Sequence, residues 1–437
     1  MVDGAALAAR YRRSRERSCQ LFDLLSEPAY YAQPIALRHP IVFYEGHLPA
    51  FSFNTLVKRA LGEAGIDERL ETLFARGIDP LQSDPDSSSH EWPRREVVRQ
   101  FADEADARVL RALTSAELDR PGHPLLDRAE AAFAILEHEA MHQETLLYMW
   151  HRLPIHDKRP PTGYRPCVRG PLPAAEWCDV APGPATLGVD REVLPFGWDN
   201  EFPSCTVDVP AFEIERYNVT NAAFLEFIDA GGYRNPRWWQ PEDWSWIQAE
   251  RVEHPLFWEP LGDDWQWRGM FELIPLPMAW PVYVSHAEAR AYAAWRGARL
   301  PSEAEFHRAA YASPDGTGRA FPWGAGAADH TRGTFDFVSW DPTPVGAHPA
   351  GRSAWGVEDL VGNGWEWTSS VFAPFPGFRP IASYPEYSAD FFDGDHFVMK
   401  GASPATAREL IRPTFRNWFR PRYPYVYATF RLVRTAS

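Results

Sequence analysis

Residues 136–150 spell LEHEAMHQETLLYMW, and within them His138-Glu139-Ala140-Met141-His142 sets two imidazoles four positions apart. On a helix that spacing puts both rings on one face, where they can grip one metal ion. The same letters mark zinc metallopeptidases, in which the glutamate between the histidines is the general base. The longer zinc-protease pattern needs Gly at 145 and His at 148, where this chain has Thr145 and Tyr148. No glutamate follows in HDKRPPTGYRPCVRG, where another third ligand of that class would come. Two histidines on an ordinary helix surface are the plainer alternative. A third imidazole is at hand in His47 of RHPIVFYEGHLPAF, on a helix that can face the first. Three neutral imidazoles on one side of a metal leave positions open for substrate and dioxygen. That set suits a redox metal such as iron(II) better than a closed structural site.

Helices must carry these rings, and the first part of the chain has the pattern for them. Apolar residues recur at helical spacing in ARYRRSRERSCQLFDLLS, FYEGHLPAFSFNTLVKRALG, REVVRQFADEADARVLRALTSAEL and PLLDRAEAAFAILEHEAMHQETLLYMWHRL. Four such runs predict a four-helix bundle over residues 1–155. GIDPLQSDPDSSSHEWP between them is polar and reads as a loop. A Pro-, Arg- and Gly-rich linker is expected over 156–174, and an α+β domain over 175–437. The latter shows alternating strands such as CTVDVPAFEI and two helical stretches, VTNAAFLEFIDAGG and SHAEARAYAAWRG. With 437 residues, two domains are the natural expectation. The net charge of −15 argues against nucleic-acid and anionic-membrane partners. No apolar run is long enough to span a bilayer, and the charged N-terminal stretch lacks the apolar core of a secretion signal. Four widely spaced cysteines without a C-x-x-C pair suit a reduced cytoplasmic protein.

Seven stretches of the second part carry a resemblance: PFGWDNEFP (195–203), YNVTNAAFLEFI (217–228), ARLPSEAEFHRAA (298–310), VGNGWEWTSS (361–370), FFDGDHFVMKGAS (391–403), RPTFRNWFRP (412–421) and FRLVR (430–434). Together with a bundle histidine and an H-x-x-x-H helix continuing HQET, the chain resembles the nonheme iron sulfoxide synthases. These include ergothioneine and ovothiol enzymes and their selenoneine-forming relatives. The resemblance implies a DinB-like four-helix bundle followed by a C-type-lectin-like domain of the formylglycine-generating-enzyme kind. It implies iron(II) held by His47, His138 and His142, with dioxygen as co-substrate. It further implies hercynine, the trimethylammonium betaine of histidine, as the acceptor of a sulfur or selenium atom. Trp418 falls where the family places a substrate-contacting tryptophan, with Asn417, Phe415 and Phe419 on the same stretch. Glu144, two positions after His142, is a candidate to orient that ring, and the lectin-like domain is a candidate holder of calcium.

Some positions depart from the family pattern. Relatives that use γ-glutamylcysteine follow the tryptophan with an acid, where this chain has Phe419, and carry bundle-loop arginines that DPDSSSHEW lacks. Those losses favour a neutral selenosugar donor over cysteine or γ-glutamylcysteine. Phe375 of PFPGF stands where many members have a proton-donating tyrosine, leaving Tyr44, Tyr423, Tyr425 and Tyr427 as candidates. No cysteine lies beyond Cys205, so formylglycine formation by a late cysteine pair is excluded. A zinc peptidase and a non-catalytic lectin-like binding module are the alternatives from other classes.

Overall fold

The four apolar-periodic runs form four long helices. In the computed structural model, which describes residues 2–75 and 92–436, α1 (Gly4–Phe22) starts at Asp3, whose carboxylate accepts the Ala6 N–H at 3.0 Å. α2 (Ile41–Ser52) continues without a break into π-helical turns at Phe53–Ala60. Pro49 lies inside α2. Its ring lacks the N–H that would bond back to Glu45 and crowds that carbonyl, and the wider turns begin four residues later. α3 (Glu68–Leu73) is capped by Asp67, which accepts the Arg69 and Leu70 N–H groups at 3.0 and 3.1 Å. α4 (Arg95–Ser115) and α5 (Glu130–Arg152) complete the set. Of these, α5 is buried on every side, with Glu137, His138, Glu139 and Gln143 inside along with its apolar residues. It is the central helix. Tyr11, Phe53, Leu56, Val109, Leu113 and Ile135 share one core around it.

The chain divides into two units. One is residues 1–164 with residues 382–384 added; the other is residues 165–381 and 385–437. The short excursion at 382–384 has no sign in the local sequence pattern. Between Asp157 and Trp177 no helix or strand forms. The loop expected over 77–93 lies outside the described residues except for Trp92 and Pro93.

The second unit is β-rich and irregular, as its short alternating runs imply. Its strands are β1 (Trp177–Val180), β2 (Gly183–Leu187), β3 (Cys205–Val209), β4 (Phe212–Glu215), β5 (Trp258–Leu261), β6 (Asp264–Arg268), β7 (Leu273–Pro275), β8 (Gly364–Val371), β9 (Phe397–Ala402), β10 (Asn417–Phe419), β11 (Ala428–Thr429) and β12 (Val433–Thr435). They pair as four small sheets, ordered β10-β9-β8-β11, β1-β4-β12, β5-β6-β7 and β2-β3. Every pairing is antiparallel except β8 with β11. Helices α6 (Asn221–Asp229), α7 (Pro241–Glu250), α8 (His286–Trp295), α9 (Glu303–Tyr311) and α10 (Glu386–Ala389) lie between them. Only α6 and α8 were expected. α9 carries a readable start signal: Ser302 Oγ accepts the Glu305 N–H and Glu305 accepts the Ser302 N–H, a capping box. At the centre, Arg431 and Glu366 are fully buried and paired at 2.7 Å. The remaining guanidinium N–H groups donate to the carbonyls of Glu215, Arg216 and Glu358. A buried charge so fully satisfied is tolerable; one left alone would not be. Among the described residues no helix is long and apolar enough to cross a membrane.

Candidate metal centre

The centre begins at Gly46. A Cβ there would fall 2.5 Å from the ring of Phe74, so only glycine lets that ring lie against α2. With Phe74 so close, its carbonyl accepts a hydrogen bond from His47 Nδ1 at 2.8 Å. A carbonyl can only accept, so the proton sits on Nδ1 and the lone pair on Nε2. That lone pair faces Nε2 of His138 at 3.3 Å. Two imidazole nitrogens bound about 2.0–2.1 Å from one metal at right or tetrahedral angles sit about 2.8–3.4 Å apart. The pair fits a shared cation.

His142, one turn beyond His138 on α5, completes the group. Its ring lies 4.4 Å from that of His138 and 5.1 Å from that of His47, centre to centre. Among the described residues these three offer ligand atoms all within 4.8 Å of one another. His47 and His138 are buried and His142 is half-buried. Burial lowers the His47 pKa to about 4 despite its bond to Phe74. Burial, and then the neighbouring rings, push His138 well below the ordinary range; burial, His47 and the charge of Arg38 do the same to His142. All three rings are therefore neutral at physiological pH, the form that binds metals. Nδ1 of His138 and Nδ1 of His142 are buried without a hydrogen-bond partner, whereas Nε2 of His47 and Nε2 of His138 face each other across a cation-sized gap. The residues fit a metal ion.

Aromatic rings fix the imidazole planes. Phe51 stacks on His138 at 3.5 Å, and Phe43 stacks on His47 at 5.0 Å. Tyr44 of α2 approaches His142 to 5.8 Å. A second phenol, Tyr384, packs against the helical core, 5.4 Å from Phe51 and 6.1 Å from His138. Nothing in the sequence announced it, because residues 382–384 join the helical unit from far along the chain.

The glutamate inside the motif is not placed to act on the histidines. Glu139 is fully buried and accepts from Arg15 Nη1 at 2.9 Å and Ser18 Oγ at 2.6 Å. Arg15 also pairs with Asp106 at 2.9 Å, so the network ties α1, α4 and α5 together. A peptidase base would face the metal instead. The orienting role expected of Glu144 is not seen at His142 Nδ1, which has no partner. Positions two apart on a helix point in nearly opposite directions.

The remaining candidates belong to the second unit. Trp418 on β10 is half-buried in an aromatic cluster, stacked on Phe372 at 4.1 Å with Tyr387 and Phe391 at 5.2 and 5.7 Å. Asn417 turns its side chain back to the Trp418 N–H. Phe419 stacks on Tyr423 at 5.1 Å, and Tyr425 meets Tyr423 edge-on. Phe415 is buried against Trp365, and Tyr427 is buried beside Phe257 and Tyr283. Most of the arginine-free stretch 84–92 lies outside the described residues.

Comparison with known proteins accounts for both units. Residues 10–146 match the DinB superfamily, and residues 169–436 match the sulfatase-modifying factor enzyme 1-like domain. Hercynine oxygenase of Mycolicibacterium thermoresistibile is 35% identical over 436 residues, covering 98% of this chain and 94% of that protein. Hercynine oxygenase of Mycolicibacterium smegmatis is 42% identical over 306 residues, 68% of this chain and 70% of its own. Ergothioneine biosynthesis protein 1 of Neurospora crassa is 27% identical over 500 positions; 94% of this chain is covered, but only 55% of that longer protein. A likeness that runs through both units at such identity is one of descent, and this chain belongs to the hercynine oxygenase family, a DinB-like helical region joined to a sulfatase-modifying-factor-like domain.

Proposed function

We propose that this protein is an iron(II)- and dioxygen-dependent enzyme that joins a sulfur or selenium donor to C2 of the imidazole ring of hercynine. The observation that carries the reading is the convergence of His47, His138 and His142, with their ligand atoms within 4.8 Å. A lectin-like binding module has no use for such a group, and a zinc peptidase would need Glu139 free rather than bound to Arg15. The family relatives named for hercynine and for ergothioneine biosynthesis support the choice of substrate.

Iron(II) at the three histidines would supply a redox-active Lewis acid with open positions for an imidazole, a thiol or selenol, and dioxygen. In the balanced reaction the C2–H and the donor S–H or Se–H are lost. One oxygen atom ends on the chalcogen and the other leaves as water. The protein's part is positioning. Burial keeps the three imidazoles neutral, and Phe43 and Phe51 hold their ring planes and exclude water. Tyr44 and Tyr384, whose rings approach His142 and His138, are assigned as proton donors in preference to Tyr423, Tyr425 and Tyr427. Trp418 is assigned to the trimethylammonium group, an attraction worth about 1–2 kcal/mol when desolvated.

Phe419, stacked on Tyr423, offers no charge to an amino-acid donor, which favours a neutral seleno- or thiosugar. A carboxylate-bearing thiol is the second reading, favoured by Arg38, whose positive charge reaches His142. One experiment separates the readings: anaerobic iron(II) titration, then oxygen uptake with hercynine and each donor in turn. We expect binding that His47→Ala abolishes, oxygen uptake only with both substrates, and kcat/KM for a selenosugar at least about tenfold above that for γ-glutamylcysteine, the equivalent of one lost charge-assisted hydrogen bond. Comparable values would return the enzyme to sulfur chemistry. Tight zinc binding with peptide cleavage and no oxygen uptake would overturn the assignment altogether.

A further inference from the structure

Residues 382–384 belong to the helical unit, and Ser383 at their centre is fully buried. A buried peptide group must find partners, yet Ser383 lies in no helix or strand. Both partners come from charged side chains. Its N–H donates to Glu130 Oε1 at 3.0 Å, and its carbonyl accepts from Arg59 Nη1 at 3.1 Å. Arg59 also reaches the Ala382 carbonyl at 3.4 Å. Glu130 opens α5, which carries His138 and His142; Arg59 lies on the π-helical continuation of α2, which carries His47. The two helices that hold the imidazoles thus also hold the next residue's phenol ring, 6.1 Å from His138.

We propose that Glu130 and Arg59 are positioning residues, a charged clasp that closes on the Ser383 peptide and sets Tyr384 beside the three-histidine centre. Neither touches a substrate; each acts through the backbone of residues 382–383. A clasp with opposite charges at its two jaws suits a peptide, whose N–H seeks an anion and whose carbonyl seeks a cation. The glutamate needs only an oxygen acceptor for this, so glutamine should serve, whereas alanine should not. The arginine contributes a fork that grips two successive carbonyls, which lysine cannot reproduce as a point charge. This inference rests on the metal-centre reading only for the function of Tyr384, not for the clasp itself.

The test uses the full-length chain with 3-fluorotyrosine placed at position 384 and followed by fluorine NMR. Metal-free, the wild-type resonance should be displaced from that of the free amino acid by the ring currents of Phe51 and His138. Glu130→Ala combined with Arg59→Ala should move it most of the way to the free value, while Glu130→Gln should hold it in place. Retention of the wild-type shift in the double variant, with circular dichroism unchanged, would overturn the clasp. If the double variant fails to fold, the single variants Glu130→Ala and Arg59→Lys decide by the same shift. Cobalt(II) added to the wild type should broaden the resonance, and much less so in Glu130→Ala. Cobalt bound without broadening at 384 would overturn the placement of Tyr384. If no cobalt binds, the metal-centre reading fails, and the metal-free shifts still judge the clasp. In turnover, Glu130→Ala should lower kcat about tenfold with the KM for hercynine nearly unchanged, the loss expected when one charge-assisted bond no longer holds the group in place.

Discussion

Glu139 shows how little a motif settles until its neighbours are known. Its letters are those of a peptidase base, but Arg15 and Ser18 of α1 hold it, and it points into the bundle. Burial raises its pKa while Arg15 opposes the shift, the mark of a structural ion pair. Glu139→Gln should therefore lower stability by about 3 kcal/mol, the usual cost of breaking a buried pair from one side. Iron(II) should still bind one to one. Denaturant melts and a metal titration of the same sample check both halves, and loss of metal from a well-folded variant would contradict this role. The imidazole pair was legible because helical spacing is local, and His47 because its own run was helical. The partner of Glu139 was not, since Arg15 lies 124 positions away. Tyr384 was beyond reach for the same reason.

At the scale of elements, α2 does the delicate work. It carries Gly46, His47 and Pro49 in four positions, so a close approach, a ligand and a helix disruption occur within about one turn. Gly46→Ala would drive Cβ into the fully buried Phe74 ring. Overpacking of that kind costs about 1–3 kcal/mol. The specific consequence is at Phe74's carbonyl, which would shift away from His47 Nδ1 and release the ring. Metal affinity should fall about tenfold, in line with the loss of a partner that orients a ligand. A titration against the wild type measures it; a variant that loses stability but binds metal as before would show that the carbonyl is dispensable. The four long helices were readable because amphipathic periods over a dozen or more residues leave little choice. α9 was missed although Ser302-x-x-Glu305 spells its start, because only nine residues follow and its apolar pattern is short. The small sheets were readable only where strands alternate, as in β3 and β4. β10 and β11 have three and two residues and exist because β9 and β8 pair with them.

For the whole molecule, buried carboxyls set the pH dependence of stability. Asp359 is buried near Glu358 and Glu366, and burial lifts its pKa from 3.8 to about 6 against the pull of the Gly346 N–H and Arg431. The folded protein keeps a proton there that the unfolded chain has released. That contribution is full below 3.8 and is lost as pH rises through about 6. Asp359→Asn retains an oxygen for Gly346 and suits the left-handed backbone of φ 55°. The variant should gain on the wild type as pH climbs from about 4 to 7, by a total on the order of 2–3 kcal/mol. Urea melts across that range check it, and parallel curves for the two proteins would refute it. The excursion at 382–384 has a different consequence, one of timing. A ribosome releases the helical unit's first 164 residues and then must make residues 165–381, a further 217, before the missing piece exists. At about 5–20 residues per second that is a wait of roughly 10–45 s. Through that interval the three histidines can already be in place on their helices, before Glu130 and Arg59 can close on Ser383. The nascent protein therefore acquires its imidazoles early and its second phenol late, and the helical unit is complete only after 217 residues of the other unit have been made.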